Sequence, residues 1–275
     1  MRLAAPSLRV RDLEGTLRYY KEYLFLTPKQ GESGKLNLVA GSSAPLVILE
    51  SDSNARQPPV GSAGLYHFAI LVPDRKSLAM TFLALRKRGV YFEGYADHLV
   101  SESLYLRDPE GNGIEIYRDR ASEEWKFDVS GKVKMDSLPL NISSLLSELT
   151  EEEREEPLAF PGGARIGHMH LKVTNLDASR KFYSEKLGLD ITSDWSRFGA
   201  FFLSVGGYHH HIGLNIWESK GGPQVENGSA GLDHFTILIS KKSLGELARN
   251  LNLAEKEPLL FSDPDGIGIE ARPEY

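Results

Sequence analysis

The feature that most constrains this chain is that it repeats itself. LRVRDLEGTLRYYKEYL from Leu8 matches LKVTNLDASRKFYSEKL from Leu171 in the spacing of its apolar and aromatic residues. GSAGLYHFAILV from Gly61 matches GSAGLDHFTILI from Gly228, and RDPEGNGIEIY around Asp108 matches SDPDGIGIEAR around Asp263. Three anchors in one order mark an internal duplication in which the second copy gained about four residues early and lost about twelve late. The chain then divides into a first copy over 1–120, a connecting stretch over 121–165 and a second copy over 166–275.

Each copy opens on the apolar alternation of a half-buried strand: Leu8 and Val10 in the first, Met169, Leu171 and Val173 in the second. A helix follows. In the second copy Asn175 is its N-cap, Leu176, Ser179, Phe182, Tyr183 and Leu187 recur at helical spacing, and Gly188 ends it. FFLSV, HIGLNIW and HFTILI read as strands, followed by a DPDG turn and a last strand IGIEA. The expected fold is α+β, built from tandem βαβββ modules in two pseudo-repeat domains. In the connecting stretch SSLLSELTEEEREEP reads as a short acidic helix ended by Pro157 and lying over the surface, with docking to a partner as the alternative.

Composition narrows the chemistry. Of 275 residues 41% are apolar and 25% charged, which fits a chain that buries a core and excludes a disordered one. No apolar run approaches the roughly 20 residues of a bilayer span. Charges at Arg9, Arg11 and Asp12 interrupt the start before a secretory h-region forms, so the expected location is the cytoplasm. A net charge of −6 without a basic patch argues against nucleic acid as a partner. With no cysteine, thiolate catalysis and zinc–thiolate sites fall away, and any metal must be held by nitrogen and oxygen.

Residues two apart on a strand share a face. With Met169, Leu171 and Val173 packed inward, His168 and His170 point the other way; so do His234 and Thr236 beside Phe235, Ile237 and Ile239, and Glu270 between Ile269 and Ala271. Three strands of the second copy thus aim strong ligands at one concave face. Two imidazoles and a carboxylate leave positions open on a metal and suit Fe(II), with Mn(II) or Zn(II) able to occupy the same set. His67 and Glu115 hold the corresponding places in the first copy, where Ala5 stands for His168 and Ser7 for His170, so that copy is expected to lack a complete metal site.

The LxVxxL strand, the FY helix, the HFxIL strand and the DPxGxGIE turn resemble the vicinal oxygen chelate superfamily of glyoxalases, fosfomycin- and bleomycin-resistance proteins and extradiol dioxygenases. The two-copy length, VKMDSLPL and YHHHIGLNIW look closest to the Bacillus-type catechol 2,3-dioxygenases. The resemblance selects His168 over His170 as first ligand, with His234 and Glu270 completing the set. It implies an extradiol dioxygenase of aromatic catabolism that uses Fe(II) and dioxygen to open a catechol to a 2-hydroxymuconic semialdehyde, and it allows a homo-oligomer. In HHH it matches His210, with His209 as the alternative, to the acid/base histidine of such enzymes. His170, Tyr208, Phe202, Asn215 and Trp217 are the expected pocket walls. Where many relatives carry a tyrosine ten residues before the ligand glutamate, the second copy has Leu260 and the first Tyr105, which puts substrate binding in question. Two other readings stand beside this one. The first is a glyoxalase-like lyase, isomerase or thiol transferase, whose site is often shared between modules; the second is a ligand-sequestering protein of the bleomycin-resistance type.

Overall fold

The structure is a computed structural model that describes residues 1–41, 44–155 and 159–274. In chain order the elements are β1 (Arg2–Leu3), β2 (Ser7–Val10), α1 (Leu13–Glu22), β3 (Thr27–Gln30), β4 (Leu36–Val39), β5 (Pro45–Ser51), β6 (Gly64–Leu71), α2 (Arg75–Lys87), β7 (Gly94–Asp97), β8 (Ser101–Arg107) and β9 (Gly113–Asp119). The connection holds β10 (Leu138–Pro139), α3 (Ile142–Leu146) and α4 (Glu151–Glu155). The second copy follows as β11 (Arg165–Lys172), α5 (Leu176–Arg180), β12 (Asp190–Trp195), β13 (Ala200–Ser204), β14 (Ile212–Asn215), β15 (Gly231–Ile239), α6 (Lys241–Asn250), β16 (Leu259–Ser262) and β17 (Gly268–Pro273).

The βαβββ module is the building block, and each copy contains two of them. HFAIL and HFTILI each open a second module, because a helix follows each one: α2, capped by the Asp74 side chain on Ser77 N, and α6, capped by Ser240 on Ser243 N. The last module has lost a strand, which is where the shortening of the second copy falls. Asn175 caps α5 as expected, and the helix runs on as a π-turn over Lys181–Lys186 before Gly188, at φ +75°, reverses the chain.

Neither copy closes on itself. β6 of the first copy pairs antiparallel with β11 of the second, giving a sheet in the order β10-β7-β8-β9-β6-β11-β14-β13-β12. β15 of the second pairs antiparallel with β2 of the first, giving β16-β17-β15-β2-β5-β4-β3 with β1 on β15. The two stretches 1–120 and 166–275 are therefore units of sequence, while each curled sheet combines half of one with half of the other. Helices cover one face of each sheet, and Leu8, Val10, Phe68, Ile70, Met169, Leu171, Val173 and Phe235 are all fully or nearly fully buried beneath them.

The connecting stretch is more integrated than a surface linker. Leu145 and Leu149 are buried, and Arg75 of α2 donates to Ser144 O and the Glu148 carboxylate, so the apolar side of this segment is spent on its own chain and not held open for a partner. Pro157, expected to end the acidic helix, lies outside the described residues. Among the described residues no helix is long and apolar enough to cross a membrane.

Candidate metal centre

Period-two alternation sets the facing of each side chain as the sequence implies, but the pairing of strands brings different residues together. β6 lies beside β11 with His67 opposite His170 and Ala69 opposite His168; β9 runs parallel on the other side of β6, with Glu115 opposite Ala69. His67, Glu115 and His168 consequently converge, with one ligand atom of each within 4.8 Å of the others, and all three are buried. Tight packing fixes β11 here: a Cβ on Gly167 would come 1.8 Å from the Tyr117 hydroxyl, so only glycine lets that phenol lie against the strand.

This corrects the expected ligand set. His168 belongs to it, but His234 and Glu270 lie in the other sheet and line a different cavity, together with Ala5 and Ser7. The complete trio is shared between the copies, and the incomplete one is His234 and Glu270 with Ala5.

Around the trio the donor atoms are arranged as for a common ligand. His168 Nε2 lies 3.0 Å and His67 Nε2 2.9 Å from the same oxygen, Glu115 Oε2. Among the described residues His67 Nε2 nonetheless makes no well-directed hydrogen bond, and His168 Nδ1 has no hydrogen-bond partner. The orphaned His67 Nε2, aimed into the trio, is expensive in a buried site unless an ion satisfies its lone pair. Burial pushes the Glu115 carboxyl up, but His168 and His67 outweigh it and hold the group well below the usual carboxylate range. Burial also pulls His168 down, against the pull of Glu115, so a neutral imidazole is favoured. Two imidazoles and an ionised carboxylate suit a divalent cation with open positions.

The trio forms part of the wall of a cavity of about 310 Å³. His170, Phe202, His210 and Trp217 line it, joined by Tyr66 and Trp195. Asn215 stands behind His170: Trp217 N donates to Asn215 Oδ1, which leaves the amide nitrogen to donate to His170 Nε2 at 3.0 Å. Tyr208 is not a wall residue, since its hydroxyl is spent on Asp119 and Tyr117 on the outer side. His210 faces the cavity, with its ring centroid 4.1 Å from that of His168, while His209 is fully buried behind it. The turn that alternation would require before Ile212 is present, since regular strand resumes only there.

Residues of the first copy and of the connection complete the cavity. Tyr105 belongs to this cavity, 5.5 Å from the His67 ring, so the residue the family pattern asks for sits at the metal trio and Leu260 is far from it in the other cup. His98 accepts the Tyr105 hydroxyl at 2.6 Å, and Met135, Asp136 and Ser137 of the connection line the cavity as well, with the Asp136 carbonyl 2.7 Å from His98 Nδ1. The spacing of Tyr105 before Glu115 and the VKMDSLPL stretch each carried a signal; a lone histidine before a strand carried none.

A curled sheet of paired βαβββ modules with a two-histidine, one-carboxylate trio in its hollow defines a class of small-molecule metalloprotein. Comparison with known proteins agrees: the model of the Glyoxalase/Bleomycin resistance protein/Dioxygenase superfamily matches residues 2–116 and 165–271, and the chain belongs to that superfamily. A catechol-2,3-dioxygenase of Bacillus subtilis (strain 168) is 38% identical over 244 residues, 88% of this chain and 84% of that one. Among solved structures, the cppA protein of Streptococcus pneumoniae superposes with a TM-score of 0.60 at 12% identity, covering 100% of this chain and 98% of its own. Glyoxalase I of Zea mays does so at 0.56 and 18%, covering 98% and 91%. At those identities the likeness is one of fold.

Proposed function

We propose that the chain is an extradiol ring-cleaving dioxygenase that opens a catechol to a 2-hydroxymuconic semialdehyde, with Fe(II) held by His67, Glu115 and His168. The observation that carries this is the donor set itself, two imidazoles and one carboxylate on one wall of a cavity, in a chain similar to a catechol-2,3-dioxygenase over most of its length. A site held within one copy would argue against a glyoxalase-like reaction, whose site is often shared between modules. That argument does not hold, since the trio bridges the copies, and the donor types now bear the weight.

Iron in that position would supply the Lewis acidity and redox chemistry that join a diol to dioxygen. The chain's own residues do the rest. The Asp136 carbonyl takes the His98 Nδ1 proton, which leaves His98 Nε2 as the acceptor for the Tyr105 hydroxyl. Burial, with Glu115, pushes the Tyr105 phenol well up, so it stays protonated, and with its proton on His98 its oxygen is left to accept from a substrate hydroxyl. Across the cavity His210 Nε2 has no hydrogen-bond partner among the described residues, and burial, His168 and His209 pull the ring well below its ordinary range. A bare imidazole nitrogen there takes a proton from the diol.

The walls suit an uncharged ring. Tyr66, Trp195, Phe202 and Trp217 offer aromatic surface, while Glu93, Glu115 and Asp136 face a single cation, Arg107, which already donates to Glu93 at 2.6 Å. A carboxylated catechol finds no free partner. Anaerobic loading with ferrous iron, then catechol and air, tests the proposal: a yellow product formed with matching oxygen uptake is expected. Turnover of a thiol adduct without oxygen uptake would overturn it in favour of the lyase.

A further inference from the structure

Glu115, Tyr117 and Asp119 alternate along β9 and share one face, so the strand that supplies the carboxylate of the trio also carries a second carboxylate four residues on. Asp119 Oδ1 lies 2.7 Å from His209 Nε2, and His209 Nδ1 lies 2.8 Å from His210 Nδ1. The other oxygen, Oδ2, accepts from the Tyr208 hydroxyl at 2.9 Å, which in turn takes the Tyr117 hydroxyl at 2.7 Å. His209 is fully buried, its ring 5.2 Å from that of Trp125 in the connecting stretch, while the Asp119 side chain is 21% exposed.

Donor bookkeeping fixes the protons along this row. Both oxygens of Asp119 accept, so His209 must carry its proton on Nε2. With a single ring proton, placed on Nε2, His209 has a bare Nδ1, and the short contact between the two Nδ1 atoms then takes its donor from His210 Nδ1–H. Neutral His210 is left with a bare Nε2, the nitrogen that faces the cavity. We infer that Asp119 is a positioning residue which, acting through His209, holds the His210 imidazole in the tautomer that presents a lone pair to the substrate. The inference deepens the dioxygenase reading and relies on it for the consequence in turnover, but not for the tautomer.

The test reads the tautomer directly in metal-free protein, from the ring ¹⁵N shifts of His209 and His210 near neutral pH. Wild type is expected to show His210 protonated at Nδ1 and His209 at Nε2. Asp119→Asn reverses both, because the amide can accept from Tyr208 and donate to His209 Nε2; His210 then carries its proton on the cavity-facing nitrogen. In iron-loaded protein the same variant is expected to lose about 10²- to 10⁴-fold in kcat with KM for catechol within a few-fold, as for other wrong-tautomer histidines. Asp119→Glu restores the wild-type shifts, and Tyr208→Phe leaves them unchanged. A wild-type His210 protonated at Nε2, or shifts that Asp119→Asn does not move, would overturn the inference whether or not any variant folds poorly. Expected shifts in a protein with no oxygen-dependent turnover would instead sink the dioxygenase reading alone.

Discussion

The two curled sheets are built from the same repeated modules, and at a handful of positions in their hollows they differ in ways that bear on a metal. Aligned through their strand pairings, His67 and Glu115 correspond to His234 and Glu270, His168 to Ala5, His170 to Ser7, Ala69 to Thr236 and Tyr117 to Arg272. The register of β5 against β2 places Pro45 where the other cup has His210 and Ala44 where it has His209. In the second cup Arg272 grips Glu270 at 2.9 Å with both Nε and Nη2, and Thr236 donates to the same carboxylate at 2.9 Å. Burial pushes Glu270 up, yet Arg272 and Thr236 together keep it below its ordinary range. A guanidinium has taken over the charge that a metal would otherwise neutralise. The lesson is that a buried carboxylate outlives its site only when another cation replaces the ion.

The largest effect expected of this comparison separates the two cups outright. His168→Ala or Glu115→Ala should bring bound iron and ring cleavage to background, whereas His234→Ala and Glu270→Ala should leave iron content and kcat within a few-fold of wild type. Metal analysis of the purified variants checks this. Iron lost from Glu270→Ala but retained by Glu115→Ala would reverse the assignment of the cups.

Rebuilding the second site is the next test. Ala5→His alone should not create it, because Arg272 still holds Glu270. Ala5→His with Arg272→Ala should raise the iron bound per chain to nearly twice that of wild type, while Arg272→Ala by itself costs about 1–3 kcal/mol by leaving Glu270 half-partnered. If the double variant gains no metal, the likeness of the cups is one of backbone only.

A smaller contrast is expected between Tyr105 and its counterpart by spacing, Leu260, which is 65% exposed. Tyr105→Phe should lower kcat/KM for catechol by about ten- to a hundredfold, the worth of one or two hydrogen bonds. Leu260→Ser should leave it unchanged. Equal losses from the two would mean that the phenol matters only for folding.

How much of this was legible in the sequence follows from what an alternating pattern encodes. Alternation tells which face a side chain occupies, and for His168, His170, His234, Thr236 and Glu270 it told correctly. It does not tell which strand lies alongside. The apolar face of HMHLKV fits β6 as well as any strand of its own copy, so the pattern groups His168 with His234 and Glu270 while the pairing sets it beside His67 and Glu115. The vacant position at Ala5 was seen, but assigned to the cup that His168 completes. α2 and α6 were passed over although Asp74 and Ser240 stood ready as caps, because two strong strand motifs flanked each helix and drew the reading. His98 and the roof over the cavity depend on loop paths that no periodicity records.

The smallest difference between the halves sits at the turns and is the most quantitative. Tyr20 donates to Asp108 at 3.1 Å, and Tyr183 to Asp263 at 3.0 Å; in each turn two backbone amides donate to the other carboxylate oxygen. Asp108 has one donor more, the Asn112 amide at 2.9 Å, where the second copy has the apolar Ile267. Burial, with Asp265 nearby, raises Asp263 to about 6. Between the unfolded value near 4 and about 6 the native state therefore binds more protons than the unfolded chain, so Asp263 makes stability fall as pH rises through that window, by at most about 3 kcal/mol. Ile267→Asn supplies the missing donor at the cost of buried apolar surface. It should lower stability at every pH yet flatten its decline between pH 4 and 6 in urea unfolding, and Asn112→Ile should steepen the decline. Because the same wild-type background is subtracted in both cases, parallel curves for all three proteins would show that this donor does not set the difference between the two aspartates.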